Sequence, residues 1–152
     1  MPPVESFQSG PSGGRGGEEF VDDFPGEGVK VQSIRVWHGL EIDAIQLLYS
    51  DGSTTPKRGG SGGTLTPLDL EPDEFFTEVS GRYGDHVDSL IVRTNVQTFQ
   101  KLGGNGGDHE YRYQVPEEDT EIIGFLGASG TMGAELARRV DAIGIIGRRR
   151  FK

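Results

Sequence analysis

One five-residue pattern, Gly-Gly-x-Gly-Gly, occurs three times in a chain of 152 residues. The copies are Gly13-Gly14-Arg15-Gly16-Gly17, Gly59-Gly60-Ser61-Gly62-Gly63 and Gly103-Gly104-Asn105-Gly106-Gly107. Gly13 to Gly59 is 46 residues, and Gly59 to Gly103 is 44. Self-similarity at such a period marks a supersecondary unit that buries its apolar face only against its own copies. Glycine supplies 25 residues, well above the usual ~7%. These glycines are clustered and periodic, with β-like segments between them, so they read as turns rather than as a linker.

A second pattern keeps step with the first, an Asp leading into an apolar strand. In the segment from Asp43 to Tyr49, residues Ile45, Leu47 and Tyr49 share one face of a strand. Ser50-Asp51-Gly52-Ser53 is a hairpin-type turn, and the chain then returns through Lys57-Arg58 to the second glycine loop. From Asp88 to Thr94, Leu90 and Val92 share a face; after Asn95 the chain returns through residues 96–100 to the third loop. Asp43 precedes Gly59 by 16 residues and Asp88 precedes Gly103 by 15. A third copy, Asp141-Ala142-Ile143-Gly144-Ile145-Ile146, lies near the C-terminal end, so its return strand comes from elsewhere. The N-terminal segment, entering through Gly13, is the unpaired copy left. The repeat is therefore read as circularly permuted, with the two termini completing one unit. Three units of about 45 residues, each with roughly four short strands, give an all-β domain around a pseudo-threefold axis, with few exposed strand edges. Residues 1–12 read as a flexible N-terminal segment, 13–148 as the domain and 149–152 as a basic tail. Residues 18–24 and 29–36 read as further strands. Asp88 to Asp141 spans 53 residues against 45 from Asp43 to Asp88. The extra eight fall within residues 129–139, read as an inserted loop or a single helical turn.

Composition narrows the function. With Lys+Arg 15 against Asp+Glu 24 and a net charge of −9, the surface is wrong for nucleic acid. There are no cysteines, hence no disulfide, thiolate metal site or Cys nucleophile. No apolar run approaches the ~20 residues of a membrane helix, so membrane insertion is not expected. Residues 1–6 carry neither the basic region nor the apolar core of a signal peptide; cytoplasmic localisation is the expectation, with non-classical secretion left open. His38, His86 and His109 lie in different segments, and Asp85-His86-Val87-Asp88 is too isolated to define a metal or catalytic site. No enzyme, cofactor or metal is expected.

The paired motifs carry the chemistry. A Gly-Gly-x-Gly-Gly loop allows close backbone approach and positive φ, which points N–H groups at a ligand. An Asp closing a Gly-x-x-x-Asp turn offers two acceptor oxygens, with backbone donors beside it. One carboxylate among several N–H donors suits the vicinal hydroxyls of a neutral sugar without a metal. A single glycine loop is most simply a turn, and a single strand-leading Asp a cap. Three of each at near-constant spacing point to binding sites.

The chain resembles the jacalin-related lectins over nearly its full length. The resemblance rests on the three glycine loops, on Ile42-Asp43-Ala44-Ile45 running to Tyr49-Ser50-Asp51-Gly52, on Val87-Asp88-Ser89-Leu90 running to Thr94-Asn95, and on Ile123-Gly124-Phe125-Leu126-Gly127 before Asp141-Ala142-Ile143-Gly144. It implies a β-prism I fold of three four-stranded Greek-key sheets, with sugars bound by loops at one end. Carried over by position, one site comprises Gly39, Leu40, Glu41, Ile42, Asp43, Gly62 and Gly63. A second comprises Gly84, Asp85, His86, Val87, Asp88, Gly106 and Gly107. A third would use Gly16, Gly17, Arg139, Val140 and Asp141. There the residue four before Asp141 is Ala137, and the insertion sits in the same loop, so this site is expected to be blocked or reshaped. A rival alignment takes Gly130 or Gly133 as the motif glycine and leaves a longer loop. His38 and Tyr83 precede two of the motifs and could stack on a sugar; loop packing is the plainer reading. Twelve residues precede the first glycine loop, unlike the freed glycine terminus of galactose-binding members, so the resemblance leans to mannose and glucose. The implied partners are glycans of that type, bound multivalently by a homodimer or higher homo-oligomer. Two other readings stand beside this one: a calcium-binding glycine-rich repeat, which would need a nine-residue period, and a β-prism that has become a protein-interaction module.

Overall fold

The computed structural model describes residues 5–130 and 138–150. Twelve strands form three four-stranded antiparallel sheets, the β-prism I architecture. The first sheet has the order β1-β12-β11-β2, built from β1 (Ser6–Gly13), β2 (Glu18–Val21), β11 (Thr120–Ser129) and β12 (Val140–Arg149). The second has the order β5-β4-β3-β6, from β3 (Val31–His38), β4 (Ile42–Tyr49), β5 (Arg58–Gly59) and β6 (Thr64–Asp69). The third, β10-β7-β8-β9, uses β7 (Phe76–Tyr83), β8 (Ser89–Thr94), β9 (Leu102–Gly103) and β10 (His109–Gln114). In each sheet a central hairpin is flanked by two later or earlier strands in Greek-key order.

The permuted repeat is present. Strand β1 pairs antiparallel with β12 from Ser6 opposite Arg148 to Gly13 opposite Ala142. The two termini thus complete the first sheet. This corrects two boundaries. Residues 6–12 were expected to be loose, yet they form most of β1; their glycine, proline and serine content hid an edge strand whose ladder bonds come from β12. Arg149 was assigned to a basic tail, yet it ends β12 and ion-pairs with Glu117 (2.7 Å) and Asp119. In the other two sheets the return segments are shorter than expected: β5 and β9 have two residues each, supplemented by single bridges at Leu48–Thr54 and Arg93–Thr98.

Side-chain alternation fills the prism interior. Ile45, Leu47 and Tyr49 of β4, Leu90 and Val92 of β8, and Ile143 and Ile145 of β12 are all buried in one core. Phe76 of the third sheet meets Phe125 of the first edge to face, with centroids 5.8 Å apart. Such pairing adds roughly 1 kcal/mol beyond area burial. Buried polar groups stitch the walls. Asp22 accepts from the Phe125 N–H (2.9 Å) and from Arg58 of the second sheet (3.1 Å). At the end of the prism remote from the glycine loops, Arg148 donates to the carbonyls of Pro25 (2.6 Å), Gly26 (2.7 Å) and Val29 (2.8 Å). Beside it, opposite in the ladder, lies Glu121. Burial pushes its carboxyl up to about 7, with Arg148 and Lys30 pulling it back.

Candidate functional site

The three turns that end on Asp43, Asp88 and Asp141 join the two central strands of their sheets, and all three glycine loops join the outer strands across the same end. The local geometry repeats closely. The second glycine of each loop donates its N–H to the backbone carbonyl of the Asp: Gly14 to Asp141 (2.9 Å), Gly60 to Asp43 (2.9 Å) and Gly104 to Asp88 (3.0 Å). The last glycine has φ of +84° at Gly17, +83° at Gly63 and +89° at Gly107, conformations that L side chains avoid. Each of these glycines lies directly on the Asp carboxylate. A Cβ there would come within 2.4 Å of Asp141 Oδ2, 2.6 Å of Asp43 Oδ2 and 2.8 Å of Asp88 Oδ2.

The turns are held in the same way. Gly39 N–H donates to the Glu41 carbonyl (3.0 Å) and Gly84 N–H to the His86 carbonyl (3.0 Å). In the terminal sheet, Gly130 N–H donates to the Arg139 carbonyl (2.8 Å). Gly130 is therefore the motif glycine, not Ala137, which itself lies outside the described residues. Gly39 to Asp43 spans four residues and Gly130 to Asp141 spans 11, so the turn carries seven extra residues, 131–137, also outside the described residues. The expected inserted helical turn falls on them. The eighth extra residue implied by the Asp spacing belongs elsewhere between Asp88 and Gly130.

The three turns meet on the axis. Ile42 donates its N–H to the Val87 carbonyl (3.0 Å), and Val87 donates to Val140 (2.8 Å). All three side chains are fully buried. The turns also touch neighbouring loops. A Cβ on Gly14 would lie 1.9 Å from the Asp85 carbonyl oxygen, and one on Gly104 would lie 2.2 Å from that of Leu40. The second glycine of these loops thus lets one sheet's loop rest on the turn of the next.

The carboxylates are well covered, with Asp43 6% and Asp88 8% exposed. Burial raises the pKa of Asp43, Asp88 and Asp141 alike; Arg139 counters it at Asp43, and His86 counters it at Asp88 and Asp141. The surroundings then diverge. Asp43 Oδ1 is approached by Arg139 at 3.3 Å. Asp88 has no cation in ion-pair contact among the described residues. Asp141 Oδ2 is sealed from solvent without a hydrogen bond. His38 bonds Thr66 through Nε2 (2.8 Å), and Tyr83 stacks on His109 with centroids 5.2 Å apart.

Sequence reasoning missed one cluster. Glu41, His86 and Arg139 each stand two residues before their motif Asp, so the pseudo-symmetry brings them together. His86 Nε2 contacts the Glu41 carboxylate, and Arg139 Nε lies 3.5 Å from Glu41 Oε1. The repeat spacing alone contained that signal.

A jacalin-like lectin domain model matches residues 9–146. The chain belongs to that family. It is a family of carbohydrate-binding domains, not of enzymes. Horcolin from Hordeum vulgare is 33% identical over 146 residues, covering 89% of this chain and 92% of that one. A mannose/glucose-specific lectin from Parkia pendula is 28% identical over 153 residues, covering 92% of this chain and 31% of the relative. Among solved structures, a mannose-specific jacalin-related lectin from Morus nigra in complex with mannose superposes with a TM-score of 0.77 at 26% identity, covering 97% of each chain.

Proposed function

We propose that this jacalin-family chain binds mannose- and glucose-type glycans through two intact sites, one around Asp43 with Gly63 and one around Asp88 with Gly107. The observation that carries this reading is the repeated pairing of a nearly buried carboxylate with a positive-φ glycine. It leaves acceptor oxygens at the mouth of each turn, next to backbone donors. The mannose/glucose-specific relatives support the choice of sugar. The Asp88 site is the stronger, since Arg139 occupies one face of the Asp43 carboxylate. The Asp141 site is weak or closed, because its Oδ2 is covered and its turn carries the extra residues. Oligomerisation supplies the avidity, because single sites of this kind have dissociation constants near ~1 mM, about −4 kcal/mol.

Calorimetric titration with methyl α-mannoside and mannotriose tests the reading. Saturable binding with two sites per chain is expected, and Asp88→Ala should remove the tighter class. Absence of saturable binding to any mannose- or glucose-terminated glycan would sink it in favour of a protein-interaction module.

A further inference from the structure

Among the described residues, Glu41, His86 and Asp88 each present one ligand atom, and these atoms all lie within 4.8 Å of one another. They come from two turns of different sheets, brought together by the axial backbone bonds of Ile42, Val87 and Val140. The donors are two carboxylates and an imidazole. Two further observations point to a ligand. Asp88 is more than nine-tenths buried, and its carboxylate accepts no hydrogen bond from the described residues. Glu41 Oε2 is inaccessible and has no hydrogen bond of good geometry, although it faces His86 Nε2. Arg139 sits on the other oxygen, Oε1, at 3.5 Å.

We propose that Glu41, His86 and Asp88 form a site for a borderline divalent transition metal of the Zn²⁺ and Ni²⁺ class. A mixed N,O set suits these ions. Three protein ligands are too few for the 6–8 oxygens of Ca²⁺. Ligand atoms around a tetrahedral ion stand about 3.3 Å apart for bonds near ~2.0 Å, so closing the site needs side-chain adjustment, not backbone movement. His86 gives up its contact with Glu41 to the ion. Water fills the open position. The ion claims Asp88, so it competes with a sugar at that turn and leaves the Asp43 turn bound to its own glycine loop. The competition rests on the sugar-binding reading above; the metal site does not.

Titration of the full chain with ZnCl₂ and NiCl₂ in a non-chelating buffer tests it. One ion per chain is expected, with a dissociation constant on the order of 10 μM and a raised Tm that a chelator reverses. His86→Ala should weaken binding at least tenfold, while His109→Ala should leave it unchanged. Saturating metal should remove one sugar site in a methyl α-mannoside titration. No saturable metal binding up to millimolar concentration overturns the proposal, as does equal binding by folded His86→Ala. Metal binding without any sugar binding would keep this site and overturn the lectin reading alone.

Discussion

The two ends of the prism treat buried charge in opposite ways. At the glycine-loop end, Asp43, Asp88 and Asp141 lose most of their water yet have few partners within the protein. At the other end, Arg148 spends its guanidinium on three carbonyls, and Arg149 pairs with Glu117. One end keeps acceptor capacity for a ligand; the other uses its charges to fasten a loop. A desolvated carboxylate with few partners is unfavourable for folding, and the repeated glycine device is what holds three of them in place.

That contrast can be broken by mutation. The largest effect is expected from Arg148→Ala, which removes the donors to the carbonyls of Pro25, Gly26 and Val29 and the charge that most favours ionised Glu121. Denaturant unfolding should show a loss of about 3–5 kcal/mol, while sugar affinity of the folded fraction stays constant. Gly107→Val comes next. Its Cβ would press on Asp88 Oδ2 and, at 2.9 Å, on the Tyr83 N–H, in a backbone region closed to valine. A loss of roughly 1–3 kcal/mol is expected, together with loss of the Asp88 sugar site in calorimetry. Gly17→Val should cost similar stability without changing sugar stoichiometry; if it removes a site, the terminal turn is functional after all.

The next test concerns Glu121. Its folded pKa of about 7 lies above the ordinary 4.5. The stability this group contributes is fully present below about pH 4.5 and is lost as pH rises through 7. Glu121→Gln should therefore match the wild type near pH 4 and be more stable by about 3 kcal/mol at pH 8, as read from Tm against pH. The smallest effect is at Arg139. Arg139→Ala uncovers Asp43 Oδ1 and should strengthen the weaker sugar site about threefold, under 1 kcal/mol, with the Asp88 site unmoved.

Much of this architecture was legible in the residues. The glycine loops, the inward faces of β4, β8 and β12, and the pairing of the two termini all follow from spacing and alternation. What stayed hidden depends on partners distant in sequence. Residues 6–12 have a loop-like composition and become a strand only against β12. Gly130 is revealed as the motif glycine by its hydrogen bond to Arg139, because residues 131–137 push it out of register in the sequence. Asp22 and Arg58 are unremarkable polar residues until two sheets meet over them. The Glu41, His86 and Arg139 cluster needs the threefold axis to exist at all.

The permuted first sheet has a consequence for how the chain is made. Its edges are residues 6–13 and 18–21, and its centre is residues 120–149. During synthesis the second and third sheets can assemble as their strands emerge, but the first waits until residues 120–149 have emerged. Until then β1 and β2 have no ladder, and one side of a hydrophobic core lies open. The nascent protein is a trough before it is a prism. Closure by contacts of such long sequence separation is the slow step expected of this topology, and the period before it is when the chain is most exposed to aggregation.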